Sequence, residues 1–187
     1  MKQGETSMRD VEMLADLVTY AAQGIRHVVA GLSCEELTWR PDAEGNSIGV
    51  TVWHCSRWLD VLAVQLLENK PAAAEQWHTR GWREKTGYDP RGIGYGGFGV
   101  ITGYTQEEVA AIPFLSANEH LTYQDQVCEA LCQRLLSLPE GALDQPIMAA
   151  GRERSVYQWI KMLLMGVAGH VGEIEALKAM QTRAQNQ

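Results

Sequence analysis

The chain has 187 residues, of which 45% are apolar and 21% charged, with a formal net charge of −7. These proportions predict one folded domain over residues 1–187 with a full hydrophobic core, needing no staples. An acidic chain without a Lys/Arg run argues against nucleic-acid partners, which reward clustered basic surface. No stretch approaches the ~18 apolar residues of a membrane span.

The amino end, Met1 to Ser7, lacks the apolar centre of a signal peptide. The expected location is therefore the cytoplasm, with Cys34, Cys55, Cys128 and Cys132 as reduced thiols. Cys128 and Cys132 fall i, i+4 on one helical face. This is not the two-residue spacing of redox motifs or zinc knuckles, so small buried hydrophobes are favoured over a redox or metal pair.

Ser7 with Asp10 resembles a capping box that opens helix one, whose apolar stripe runs from Val11 through Leu14, Val18, Ile25 and Val29 to Leu32. Helix two begins at Asn46-Ser47 and ends at Asn69-Lys70-Pro71, because proline cannot continue it. A connection from Pro71 to Ala117 follows. Its glycine-rich centre, Arg91 to Gly99, lacks the leading strand and the Gly-Lys-Ser/Thr exit of a phosphate loop. A folded crossover is the better reading, with Trp77, Trp82, Tyr88, Tyr95, Phe98 and Tyr104 packed over one end of the bundle. Thr105 and Glu108 predict a short helix within it.

Helix three spans about Asn118 to Leu138, with Leu121, Val127, Leu131 and Leu135 inward, and stops before Pro139. Helix four starts at Ser155 and carries Val156, Trp159, Leu163, Val167, His170, Ile174 and Leu177 on one stripe. Four long striped helices without an alternating strand pattern predict an all-α four-helix bundle with a long crossover between helices two and three.

His170 shares its face with Val167 and Ile174, and His54 lies in the apolar Val52–Leu59 run of helix two. Two inward imidazoles on two bundle helices can begin a metal site, although a satisfied core histidine is the commoner state of each alone. Glu173, three residues after His170, is within reach of the same ion, but a partner behind the imidazole or a solvated glutamate is the favoured reading. Arg57, one turn after His54, could hold a carboxylate ligand or belong to a structural ion pair. His27, His78 and His120 are read as peripheral and without a role.

Several phrases in order carry a family likeness: Leu32-Ser33-Cys34-Glu35-Glu36-Leu37-Thr38-Trp39-Arg40-Pro41, Asn46-Ser47-Ile48-Gly49 before Trp53-His54, Trp77 with Gly81-Trp82, and Gly169-His170-Val171-Gly172-Glu173-Ile174. The chain resembles the DinB-like proteins, a four-helix-bundle superfamily that includes thiol-dependent S-transferases and the mycothiol-dependent maleylpyruvate isomerase. The likeness covers about Asp10 to Met180. It implies a divalent metal, zinc or nickel, held by one histidine of helix two and two of the last helix as His-x-x-x-His. On this sequence the first matches His54 and the last His170, while the middle position is Gly166, which has no donor. The implied chemistry is transfer or isomerisation on a small-molecule substrate by a low-molecular-weight thiol, whose pKa the ion would lower. The alternative is a non-catalytic bundle, ligand-binding or homodimeric, that has lost the metal.

Overall fold

The computed structural model describes residues 9–186. The chain folds into four long helices: α1 (Asp10–Val29), α3 (Ile48–Val61), α7 (Ala117–Leu136) and α8 (Val156–Gln185), with short helices α2 (Cys34–Thr38), α4 (Gln76–Thr79), α5 (Trp82–Thr86) and α6 (Gln106–Ala110) between them. Among the described residues no helix is long and apolar enough to cross a membrane.

Capping chemistry sets most of the starts. Ser47, Thr105, Ser116 and Ser155 each accept an amide of the first turn, and the last three form capping boxes with Glu108, Glu119 and Gln158. The expected Ser7 cap lies outside the described residues; α1 starts after Arg9, whose amide and guanidinium both donate to the Glu12 carboxylate. Helix one ends at Val29 rather than Leu32, because Gly31 turns left-handed and Ser33 caps the separate helix α2 with Glu36. The C-terminal end of α3 relaxes into a π-turn over Leu62–Leu66 before Asn69 reverses the chain at positive φ.

Neighbouring contacts fix the helix directions. Gly24 lies against Val171 and Lys178 donates to the Val28 carbonyl, so α1 and α8 run parallel. Arg26 pairs with Asp125 while Cys132 donates to the Ala15 carbonyl, so α1 and α7 are antiparallel. Gly49 sits beside His120 and Arg134 reaches the Leu67 carbonyl, which makes α3 and α7 parallel. It follows that α3 and α8 are antiparallel. Parallel α3 and α7 also explain the crossover: the chain must travel back along the bundle before α7 can begin.

That crossover is packed into the core. Trp77 is fully buried, donates Nε1–H to the Tyr88 carbonyl at 3.0 Å, and meets Trp53, Trp82 and Tyr123 at ring separations of 5.7, 6.3 and 5.1 Å. A polar knot ties it down. Arg57, with no exposed surface, donates to Glu75 at 2.7 Å, to Asp60 at 3.4 Å, and to the Gly99 and Phe98 carbonyls. Asp60 in turn caps α4 from outside, accepting the Gln76 and Trp77 amides, and also accepts the Tyr123 hydroxyl at 2.8 Å. Arg57 is thus a structural ion-pair member.

One element departs from the all-helical expectation. Pro146–Ala149 and Arg152–Ser155 pair antiparallel as a small hairpin, β1 and β2, leading into α8. Ala150 and Gly151 form its turn, both at positive φ, the conformation that suits the right-handed twist of two short strands.

Candidate functional site

α3 and α8 bring His54 and His170 together. Their rings meet edge to face with 5.0 Å between centroids. His54 Nδ1–H donates to the carbonyl of Val100, on the crossover. Because a carbonyl only accepts, this bond assigns the Nδ1 proton and leaves Nε2 with a lone pair. Burial is the main cause that holds the His54 imidazole down at about 4, so the ring is neutral near pH 7. His170 is partly exposed, and its Nδ1 lies 2.6 Å from the Glu173 carboxylate. Glu173, one of the possible ligands in the sequence reading, is therefore engaged with the back of the His170 ring.

The two imidazoles border a cavity of about 200 Å³ between α3 and α8, whose other walls are Cys55, Trp58, Met162, Leu163, Gly166 and Val167. Its lining is largely apolar. Cys55 adds no nucleophile, because burial, and then the Glu173 carboxylate, push its thiol far above the ordinary range.

Each imidazole donates Nδ1–H to a fixed oxygen, the arrangement found behind metal-ligating histidines. The rest of a metal centre is missing from the donor set. Gly166 stands where the resemblance requires the middle ligand, and nothing lies within 4 Å of the place its Cβ would occupy. Among the described residues, no group of three or more His, Cys, Asp or Glu side chains is placed to hold an ion. Catalytic zinc ordinarily takes three protein ligands and one open position. The residues present do not fit a three-ligand centre.

Elsewhere the histidines differ from their expected places. His27 is exposed, as anticipated. His120 is not peripheral: it is 2% exposed, on the first turn of α7 beneath the segment that follows α6. His78 is also covered, with Nε2 4.0 Å from the Glu75 carboxylate. The sequence predicts a single stripe on helix three through Leu121, Val127 and Leu131, whereas at its start His120 shares a cavity with Leu37 of α2 and with Phe114 and Leu115 of the α6–α7 connection. Of the cysteines, Cys55 and Cys128 are buried hydrophobes, Cys132 is partly covered, and Cys34 is exposed.

Comparison with known proteins agrees with this architecture. No curated protein matches the chain. Among solved structures, the crystal structure of a conserved protein from Enterococcus faecalis superposes with a TM-score of 0.76, covering 93% of this chain and 98% of that one at 15% identity, a likeness of fold alone. The DinB superfamily matches residues 18–174, from within α1 to the His170 turn of α8. The chain belongs to the DinB superfamily.

Proposed function

We propose that this DinB-superfamily chain holds a small, largely apolar molecule in the α3–α8 cavity, with the His54–His170 pair as its polar end, and does not run metal-activated thiol chemistry. The observation that carries this reading is Gly166, which puts open space where a third imidazole would stand. A cavity of about 200 Å³ with apolar walls and one convergent polar pair suits a compact ligand with one hydrogen-bonding group. The neutral His54 ring offers a lone pair at Nε2 as acceptor. The net charge of −7 supports a small-molecule partner over nucleic acid.

A second reading keeps the family's metal- and thiol-dependent transferase or isomerase, and what supports it is the shared orientation of the two Nδ1 atoms. Calorimetric titration of zinc and nickel into the wild-type protein separates the two. Weak or absent binding is expected. Tight stoichiometric binding would overturn the first reading and favour the second.

A further inference from the structure

The amino end of α3 opens onto another cavity, of about 130 Å³, that shares no wall with the His54–His170 cavity. Arg40, Ser47, Gly49, Phe114 and His120 are among its lining residues. Three features there have polar groups without hydrogen-bond partners.

His120 is buried on the cavity wall, and neither ring nitrogen has a hydrogen-bond partner among the described residues: Nδ1 is sealed inside the fold, and Nε2 lies beside Gly49 at the start of α3. A neutral imidazole has one N–H and one lone pair, and buried groups of this kind are ordinarily satisfied. The start of α3 adds a second shortfall. The Ser47 hydroxyl takes the Val50 amide and the Ser47 carbonyl takes the Thr51 amide. The amides of Ile48 and Gly49, in the first turn, have no intrahelical acceptor, and Gly49 lines the cavity. Glycine at 49 lets the imidazole approach: a Cβ there would stand 3.3 Å from His120 Nε2 and 3.2 Å from the Leu37 carbonyl. Third, Arg40 is partly buried, and no carboxylate pairs with it among the described residues. Asp42, two residues on, accepts the Glu44 and Gly45 amides, and Glu119 on α7 is bound to the Ser116 amide and to Lys85 at 2.6 Å.

We infer that this cavity is a binding site for a small oxyanion, of phosphate or short-carboxylate size, held by Arg40, the first amides of α3 and His120. A 14-residue helix directs partial positive charge at that point. The guanidinium fork matches either a planar carboxylate or two oxygens of a phosphate. The space excludes a drug-sized ligand.

The test is amide nuclear magnetic resonance of ¹⁵N-labelled full-length protein, titrated with sodium phosphate, sodium acetate or sodium chloride at matched ionic strength. Ile48 and Gly49 should shift saturably with phosphate or with acetate and not with chloride. Whichever oxyanion saturates first identifies its source chemistry. Arg40→Gln, a change at a partly exposed position, should raise the dissociation constant by on the order of tenfold, and Gly49→Ala should abolish binding by crowding the ring. The proposal is overturned if neither oxyanion gives a saturable shift, if chloride acts equally, or if folded Arg40→Gln binds as the wild type does. Should Gly49→Ala unfold, the Arg40→Gln comparison decides alone. A high-resolution crystal grown in the better ligand that shows only an ordered water against His120 would also overturn it.

Discussion

His54 and His170 face each other edge to face across the α3–α8 seam, 5.0 Å between ring centres, while Gly166 leaves the next turn of α8 empty beside them. These are the two positions that the family resemblance makes ligands of a three-histidine centre, and Gly166 withholds the third donor. A histidine introduced at 166 would stand one turn from His170 on the same face, with open space to receive it. Gly166→His should therefore tighten zinc or nickel binding by on the order of tenfold or more, about 1.4 kcal/mol per tenfold. Paired calorimetric titrations, with thermal melts to verify folding, check this; equal affinity in both proteins would refute it.

The buried imidazoles make stability depend on pH. Burial holds His120 at about 4, against an ordinary 6.5, and His54 moves in the same direction. Between pH 6.5 and 4 the unfolded chain takes up protons that the folded protein refuses, so stability falls as pH is lowered through that window. The loss nears roughly 3 kcal/mol per imidazole at its lower end. Glu75 acts in the opposite sense: burial raises its carboxyl, and its contribution declines as pH rises above the ordinary carboxylate range. Urea midpoints measured from pH 7 to pH 4 should drop, and His120→Leu should flatten the fall by about half. A wild-type midpoint constant over the window would be the contrary result.

The Arg57 knot yields a contrast between two substitutions. Arg57→Met leaves Asp60 and Glu75 buried without their counter-charge and should cost about 3–5 kcal/mol. Glu75→Gln keeps the shape and removes one of two carboxylates around a single guanidinium. Its cost should be about 1 kcal/mol or less. Equilibrium urea unfolding of both variants gives the ranking, and a Glu75→Gln loss as large as that of Arg57→Met would contradict it.

The hairpin turn can be improved. Ala150 holds φ at +47°, a region asparagine tolerates better than alanine. Ala150→Asn should stabilise the protein by roughly 0.5 kcal/mol, read as a raised thermal midpoint. A lowered midpoint would show that the alanine methyl against Gly96 matters more than the backbone.

What could be read from the sequence follows the range of the interactions. The long helices are written locally, in apolar periodicity and in Ser47 and Ser155 as caps, so the starts of α3, α7 and α8 came out within a residue or two, and Thr105 marked the short α6 in the same way. The hairpin is not written this way. Its strands are four residues each, one starts at a proline, and Ala-Gly is a weak turn signal beside Asn-Gly. The Ser33–Glu36 box was present in the sequence and marks α2, yet its five residues carry no stripe to draw attention. At the candidate site, the inward spacing of His54 and His170 was legible, whereas the Val100 carbonyl behind His54 comes from 46 positions away and no local pattern announces it. Arg57 was legible as a candidate ion-pair member without a named partner; Asp60 lies one turn on, and Glu75 joins only through the tertiary path of the crossover. His120 was misjudged for the same reason, since the segments that bury it are distant in sequence.

The Arg57 knot also decides how the crossover breathes. A surface loop commonly opens on its own, exchanging its amide hydrogens long before the helices do. Here the Trp77 amide is bonded to Asp60, and the Gly99 carbonyl is bonded to Arg57, inside the same core that joins α3 to α7. Opening the crossover takes Glu75 and the Phe98 and Gly99 carbonyls away from Arg57, and the Gln76 and Trp77 amides away from Asp60, so it proceeds as part of whole-molecule unfolding. Hydrogen exchange at Trp77 should then be as slow as in the middle of α3. The Val100 carbonyl behind His54 belongs to this rigid unit, so the α3 side of the α3–α8 cavity is held with the core, while Met162 and Gly166 on α8 border it at the protein surface.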